Sequence, residues 1–110
     1  MSSIQTVADR MRQDQESLWA NGESLHYKKG QELFYQGHDP CGVYWIRKGQ
    51  VALIHTEMGG EHFEEKGPGT ILGLEELLKG EAFMHTGRAV NDCEICFIPK
   101  IVFLDWMEEK

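Results

Sequence analysis

Positive charge is scarce in this sequence: 11 Lys and Arg residues stand against 18 Asp and Glu residues, which gives a net charge of −7. Binding to DNA, RNA or an anionic membrane depends on a basic face that neutralises phosphate groups. We therefore expect that this domain alone binds no nucleic acid and no membrane. A small anionic molecule remains compatible with the composition, because the potential inside a pocket can differ in sign from the net charge.

Long apolar runs are also missing, so the sequence predicts no transmembrane helix. Residues 1–5 combine neither the basic region nor the apolar stretch of a signal peptide. Cysteine is limited to Cys41, Cys93 and Cys96, an odd number that is typical of a reducing compartment rather than of a disulfide framework. We expect a cytoplasmic protein.

Catalytic and metal-binding motifs are absent from the pattern. Cys93 and Cys96 lie three residues apart on a predicted strand, where side chains at that spacing point to opposite faces and cannot share a metal easily. The histidines show no HExxH or His-x-His spacing, and none of the four serines, Ser2, Ser3, Ser17 and Ser24, lies in a nucleophile elbow. The sequence therefore predicts no catalytic residues, no metal site and no enzyme.

Short apolar runs cut by glycines are what the sequence does contain, over about residues 24–98. At 110 residues we expect one domain, 1–110, with a helix over about 4–20 before the β region and a helix over about 99–109, opened by Pro99, after it. Leu74–Lys79 is predicted to form a short helix within the β region. The predicted strands are 25–28, 32–35, 43–47, 51–56, 62–65, 70–72, 83–86, 87–91 and 94–98.

Three glycine-containing segments, 28–37, 43–51 and Gly67-Pro68-Gly69-Thr70-Ile71-Leu72-Gly73, resemble the sensor domain of the CRP/FNR family, which has the cyclic-nucleotide-binding fold. The resemblance covers about residues 25–107. It implies a mainly β fold, a jelly-roll β-barrel (double-stranded β-helix) with short flanking N- and C-terminal helices. It also implies a regulatory role in which a small-molecule effector occupies the barrel.

In that family a phosphate-binding cassette follows the Gly-Pro-Gly segment: Gly-Glu opens a short helix, and Arg followed by Ser or Thr comes about ten residues after the glycine. Gly73 is kept here, but the glutamate falls on Leu74, the phosphate arginine on Phe83 and the hydroxyl residue on Met84. The resemblance therefore places the candidate ligand pocket at the following positions: Gly73, Leu74, Glu75, Phe83, Met84 and Arg88.

Two nearby residues offer incomplete replacements for the missing contacts. Glu75 could accept from the ribose after a slip of one residue, although helix geometry would turn it by about 100°. Arg88 lies five residues after Phe83, and an odd shift along a strand changes face. We expect weak binding of cyclic AMP and cyclic GMP at best. An apolar pocket for an unidentified small-molecule effector and a barrel filled by its own side chains both remain open.

Two functions fit these patterns. The first is the effector-sensing domain of a CRP/FNR-like transcription regulator. The helix-turn-helix of such a regulator would need residues after Lys110, and its dimerisation helix would begin near that point. We therefore expect weak self-association of this chain or none. The alternative is a stand-alone degenerate β-roll that acts as a protein-interaction module through its acidic surface. An enzyme on the similar cupin-type jelly roll ranks last, because it needs a cluster of inward histidines.

Haem is the one cofactor that the resemblance raises, because members of the family can carry it in the barrel. His62 and His85 would be the first axial candidates. A lone histidine on a strand is more often a surface residue, so we expect neither haem nor another cofactor.

Overall fold

The structure, a computed structural model, describes residues 3–109, so the ends of the predicted 1–110 domain lie outside the described residues. Four helices and eight strands follow one another in these residues. Their order and bounds are α1 Ile4–Gln13, α2 Gln15–Asn21, β1 Glu23–Tyr27, β2 Glu32–Phe34, β3 Gly42–Lys48, β4 Val51–Glu57, β5 Gly60–Lys66, β6 Ile71–Leu72, α3 Leu74–Lys79, β7 Thr86–Ala89, β8 Cys93–Pro99 and α4 Lys100–Glu109.

The strands form two antiparallel sheets of four, in the orders β1-β8-β3-β6 and β2-β7-β4-β5. This confirms the predicted mainly β fold of the jelly-roll type with flanking helices. The prediction of a closed barrel needs correction, because each sheet keeps two end strands among the described residues. The sheets instead pack face to face, with a shared core that includes Ile46, Leu72 and Ile95 from the first sheet and Leu33 and Val51 from the second.

A second apolar cluster covers the other face of the first sheet, where the helices pack. On this face the sheet contributes Val43, Trp45, Cys96 and Ile98, which pack with helix residues such as Met11, Leu18 and Phe103. Burial on both faces explains why β3 and β8 read as nearly continuous apolar runs rather than as alternating ones. The first sheet is thus the central layer of the molecule, between the helices and the second sheet.

The helix predicted over 4–20 is two helices, because the chain breaks at Asp14 (φ −109°, ψ 26°). The Asp14 N–H donates to the carbonyls of Arg10 and Met11, both at 3.1 Å, and closes α1. At the other end of α1, the Ser3 hydroxyl accepts from the Thr6 N–H at 3.1 Å, a side-chain N-cap.

One strand, Thr86–Ala89, replaces the two predicted at 83–86 and 87–91. Phe83 is kept out of the sheet because its backbone bonds to a loop: its N–H donates to the carbonyl of His38, and its carbonyl accepts from the N–H of Gly37, both at 2.9 Å. Within residues 3–109 no helix has the length and apolarity needed to cross a membrane.

Candidate functional site

The cassette-equivalent segment begins where β6 ends. Gly73 has φ 86° and ψ −2°, a left-handed conformation that favours glycine, and it starts α3 directly. A Cβ at this position would also lie 3.0 Å from Cε1 of Phe83. Gly73 therefore both makes the turn and lets the Phe83 ring approach the backbone.

Phe83 is 4% exposed and lies in the core between the sheets. Its ring stacks on Phe34, with centroids 4.2 Å apart and planes 17° from parallel. Tyr44 contacts both rings, at centroid distances of 5.1 Å from Phe34 and 6.3 Å from Phe83. Aromatic side chains thus fill the interior at the position that the resemblance assigns to the phosphate arginine.

Gly87 makes room for this aromatic cluster. It lies opposite Phe34 in the pairing of β2 with β7, and a Cβ there would come within 2.7 Å of Phe34 Cζ.

Burial raises the pKa of Tyr44 to about 12, and the nearby Tyr27 and Cys41 side chains add smaller contributions. The cluster therefore favours the neutral phenol.

An open groove of about 320 Å³ runs between α1 and the cassette-equivalent segment. Four of the six predicted positions line it: Gly73, Leu74, Glu75 and Met84. Phe83 and Arg88 do not contribute to its lining. The apolar part of the wall continues onto β2, β4 and β6 through Phe34, Leu53, Ile71 and Leu72.

Helix α1 supplies a wall that sequence reasoning missed, through Ile4, Ala8 and Arg12. These residues are four apart and so lie along one helical face. The spacing was visible in the sequence, but nothing in it indicated that this face would border the cassette. Leu74 is 4% exposed and also packs in the helix-side cluster, which ties α3 to the helix layer.

Most charged groups around the groove bond to other protein groups. Glu75 pairs with Lys79 at 2.9 Å, and Lys66 with Glu64 at 2.7 Å. Glu76 accepts from the Met84 N–H at 3.2 Å. The groove therefore has an apolar wall, and the charged side chains at its edge are mostly paired with other protein groups.

Arg88 lies on the outer face of the second sheet, where Nη2 is 3.3 Å from Oε1 of Glu32. Its neighbours on β7, Gly87 and Ala89, are buried, while the Arg88 side chain is 46% exposed. Strand alternation thus directs Arg88 away from the groove.

Three histidines, His55, His62 and His85, come together at the end of the second sheet, and the first two lie opposite each other in the pairing of β4 with β5. His55 Nδ1 lies 2.8 Å from the carbonyl of Met84, and the His55 and His85 rings are 5.7 Å apart. His62 Nε2 lies 3.1 Å from Glu57 Oε1. Among residues 3–109, no three His, Cys, Asp or Glu side chains are placed to hold a metal ion together.

The two cysteines of the predicted CxxC spacing lie on opposite faces of β8. Cys93 packs between the sheets and Cys96 packs under the helices. Burial raises the pKa of both thiols. This arrangement keeps the two sulfurs in separate apolar clusters.

Comparisons with known proteins agree with this geometry. The model of the family described as "Cyclic nucleotide-binding domain" matches residues 24–110. The chain is 32% identical over 71 residues to the cyclic AMP receptor protein of Thermus thermophilus, an alignment that covers 63% of this chain and 33% of that protein.

Two of the solved structures that have similar folds illustrate the match. The catabolite activator protein of Thermus thermophilus superposes with a TM-score of 0.80 and 25% identity, over 88% of this chain and 46% of that one. A cyclic nucleotide-binding-like protein from Brucella abortus superposes with a TM-score of 0.74 and 29% identity, over 86% of this chain and 84% of that one. The matched part of this chain spans a third to about half of the two Thermus proteins.

Proposed function

The chain belongs to the cyclic nucleotide-binding domain family, and we propose that it is the effector-sensing domain of a CRP/FNR-like transcription regulator that holds cyclic AMP and cyclic GMP weakly or not at all. The similarity to the cyclic AMP receptor protein of Thermus thermophilus supports the regulatory part of this proposal. We infer a regulatory rather than a catalytic role, in the cytoplasm. DNA recognition would fall to a further domain of the regulator.

The stack of Phe83 on Phe34, at 4.2 Å, carries the proposal of weak nucleotide binding. A cyclic phosphate in the usual place would meet an apolar ring instead of a guanidinium. Losing a charge-assisted hydrogen bond costs on the order of 1.5–3 kcal/mol, and an arginine often makes two such bonds. The anion would also lose its water shell without compensation there.

The two residues considered as replacements for the other contacts of the usual cassette, Glu75 and Arg88, are both paired with other side chains. Leu74 carries no acceptor for a ribose hydroxyl, and the Glu75 carboxylate is paired with Lys79 at 2.9 Å. Arg88 is paired with Glu32 on the outer face. The apolar wall of the groove favours instead a small effector with an apolar body, bound without haem or another cofactor.

Isothermal titration calorimetry with cyclic AMP and with cyclic GMP tests this proposal directly. We expect no saturable heat at micromolar protein, and a Kd of micromolar or below for either nucleotide would contradict it. Native mass spectrometry of the purified chain provides a second readout, because an effector that binds tightly would appear as a discrete added mass.

A further inference from the structure

Strand β5 is an end strand of the second sheet and has an open edge. Its residues pair with β4 in one unbroken register, from Val51 opposite Lys66 to Glu57 opposite Gly60. Six of its seven residues are exposed, and only Lys66 is half-buried. End strands of natural sheets are commonly protected by charged side chains, by proline, by bulges or by a covering element, and β5 carries mainly negative charges. Gly60–Lys66 contains no proline and shows no register shift.

The hairpin geometry identifies the backbone groups that are free. Glu57 and Gly60 flank the two-residue turn Met58-Gly59, so they form a hydrogen-bonded pair, and such pairs alternate along the ladder. The backbone of His62 and Glu64 therefore bonds to β4. The N–H and C=O groups of Glu61, Phe63 and Glu65 point away from β4, toward the open edge.

The side chains of these same three residues lie together on the outer face of the sheet, because side chains alternate along a strand. Phe63 is 65% exposed and has a carboxylate two residues away on each side, Glu61 and Glu65. Glu64 lies on the opposite face, where it pairs with Lys66 at 2.7 Å. The open edge thus presents three backbone positions with an acidic–aromatic–acidic pattern.

This pattern disfavours a second copy of the chain as the occupant. In the two-fold pairing centred on Phe63, Glu61 of each copy would lie opposite Glu65 of the other. Like charges directly opposite each other destabilise a strand pair. Charge complementarity instead favours a positively charged strand.

We propose that β5 accepts an extended basic peptide segment as an additional antiparallel strand, with a basic residue opposite Glu61, an apolar β-branched residue opposite Phe63 and a basic residue opposite Glu65. The segment therefore has the pattern basic–x–apolar–x–basic. Main-chain hydrogen bonds to three residues of β5 supply the affinity, and the cross-strand pairs supply the choice of sequence. Glu61, Phe63 and Glu65 do not line the groove, so the inference does not depend on what the groove binds.

A fluorescein-labelled peptide containing Arg-Thr-Val-Thr-Arg, titrated with the intact chain and followed by fluorescence anisotropy, tests the charge pattern. We expect saturable binding that weakens as salt is added. Glu65→Gln should weaken it about twofold and Glu61→Gln with Glu65→Gln about fourfold, from exposed pairs of ordinary strength. Glu64→Gln is the matched control: it removes the same charge from the other face and should leave the affinity unchanged.

N-methylated peptides test the strand geometry without changing the protein. The valine opposite Phe63 directs its N–H toward β5, whereas the N–H of each flanking threonine points away. Methylation of the valine nitrogen should abolish binding, and methylation of a threonine nitrogen should leave it nearly intact.

Absence of saturable binding by the unmethylated peptide, or equal loss with the two methylated peptides, would overturn the proposal. Sedimentation of the chain without peptide tests whether a second copy of the chain occupies the edge instead. A dimer that Glu65→Pro dissociates would assign the edge to a second copy instead, since proline removes only an outward N–H at that position.

Discussion

Trp106 Nε1 donates a hydrogen bond of 2.6 Å to Asp14 Oδ2, joining residues that are 92 positions apart in the chain. The bond connects α4 to the break between α1 and α2. The guanidinium of Arg10 lies 5.4 Å from the centre of the Trp106 ring, which adds a cation–π contact to the same junction. The first and last helices are thus fastened to each other on one side of the first sheet.

Asp14→Ala should lower the free energy of unfolding by about 1–2 kcal/mol, because it removes a partly buried hydrogen bond to a charged acceptor. Urea denaturation of Asp14→Ala, Trp106→Phe and the double variant measures the coupling between the two side chains. We expect the double variant to lose less than the sum of the single losses. Additive losses would show that the bond contributes nothing to stability.

Elements of the fold that depend on local sequence could be predicted, whereas features that depend on distant contacts, such as this junction, could not. Glycine punctuation and runs of β-branched and aromatic residues are local signals, and they predicted the strands around Trp45 and Ile95. The break at Asp14 involves a partner near the other end of the chain. The loss of a strand at Phe83 likewise depends on loop carbonyl and N–H groups at His38 and Gly37.

The residues of the candidate site also fall into those that could be predicted from the sequence and those that could not. The resemblance supplied Gly73, Leu74, Glu75 and Met84, which line the groove, because they follow the Gly-Pro-Gly segment in sequence. It could not supply the wall of α1, whose position depends on tertiary packing against α3. The resemblance also placed Arg88 among the pocket positions, whereas its side chain lies on the outer face of the second sheet, between the buried Gly87 and Ala89.

Restoring the usual cassette should create nucleotide affinity. In the variant with Leu74→Glu, Phe83→Arg and Met84→Ser, we expect the affinity for cyclic AMP to rise at least tenfold, since an arginine–phosphate contact and a ribose acceptor are added. Calorimetric titration of the variant and of the unmodified chain measures the change.

The control for this experiment is Phe83→Leu, which removes the aromatic stack but adds no charge and should gain no affinity. Because Leu74 and Phe83 are both 4% exposed, the thermal transition of each variant is recorded alongside. A folded triple variant without a gain would show that the backbone, and not only the side chains, differs from that of a nucleotide-binding cassette.

Gly87→Ala should destabilise the chain by about 1–3 kcal/mol, because its Cβ would lie 2.7 Å from Phe34 Cζ in a core already filled by stacked rings. Gly59→Ala is the matched control, since a Cβ there meets no atom within 4 Å. Denaturant midpoints of the two variants give the comparison. Combining Gly87→Ala with Phe34→Leu should recover part of the loss, and equal destabilisation by both alanines would argue against steric contact as the cause.

The stability of the chain should fall as pH rises from about 10 to 12, and Tyr44 should account for part of that fall. Burial holds the Tyr44 pKa at about 12, above the ordinary value of 10.0, so the folded state keeps its proton where the unfolded state loses it. The contribution of Tyr44 is therefore fully present below pH 10 and is lost as the pH passes through the folded-state value. Urea midpoints measured across this range should decline less steeply for Tyr44→Phe than for the unmodified chain. Identical slopes for Tyr44→Phe and the unmodified chain would mean that the Tyr44 phenol ionises as readily in the folded state as in the unfolded one. The packing of the Tyr44 ring among Phe34, Phe83 and Phe97 argues against that outcome.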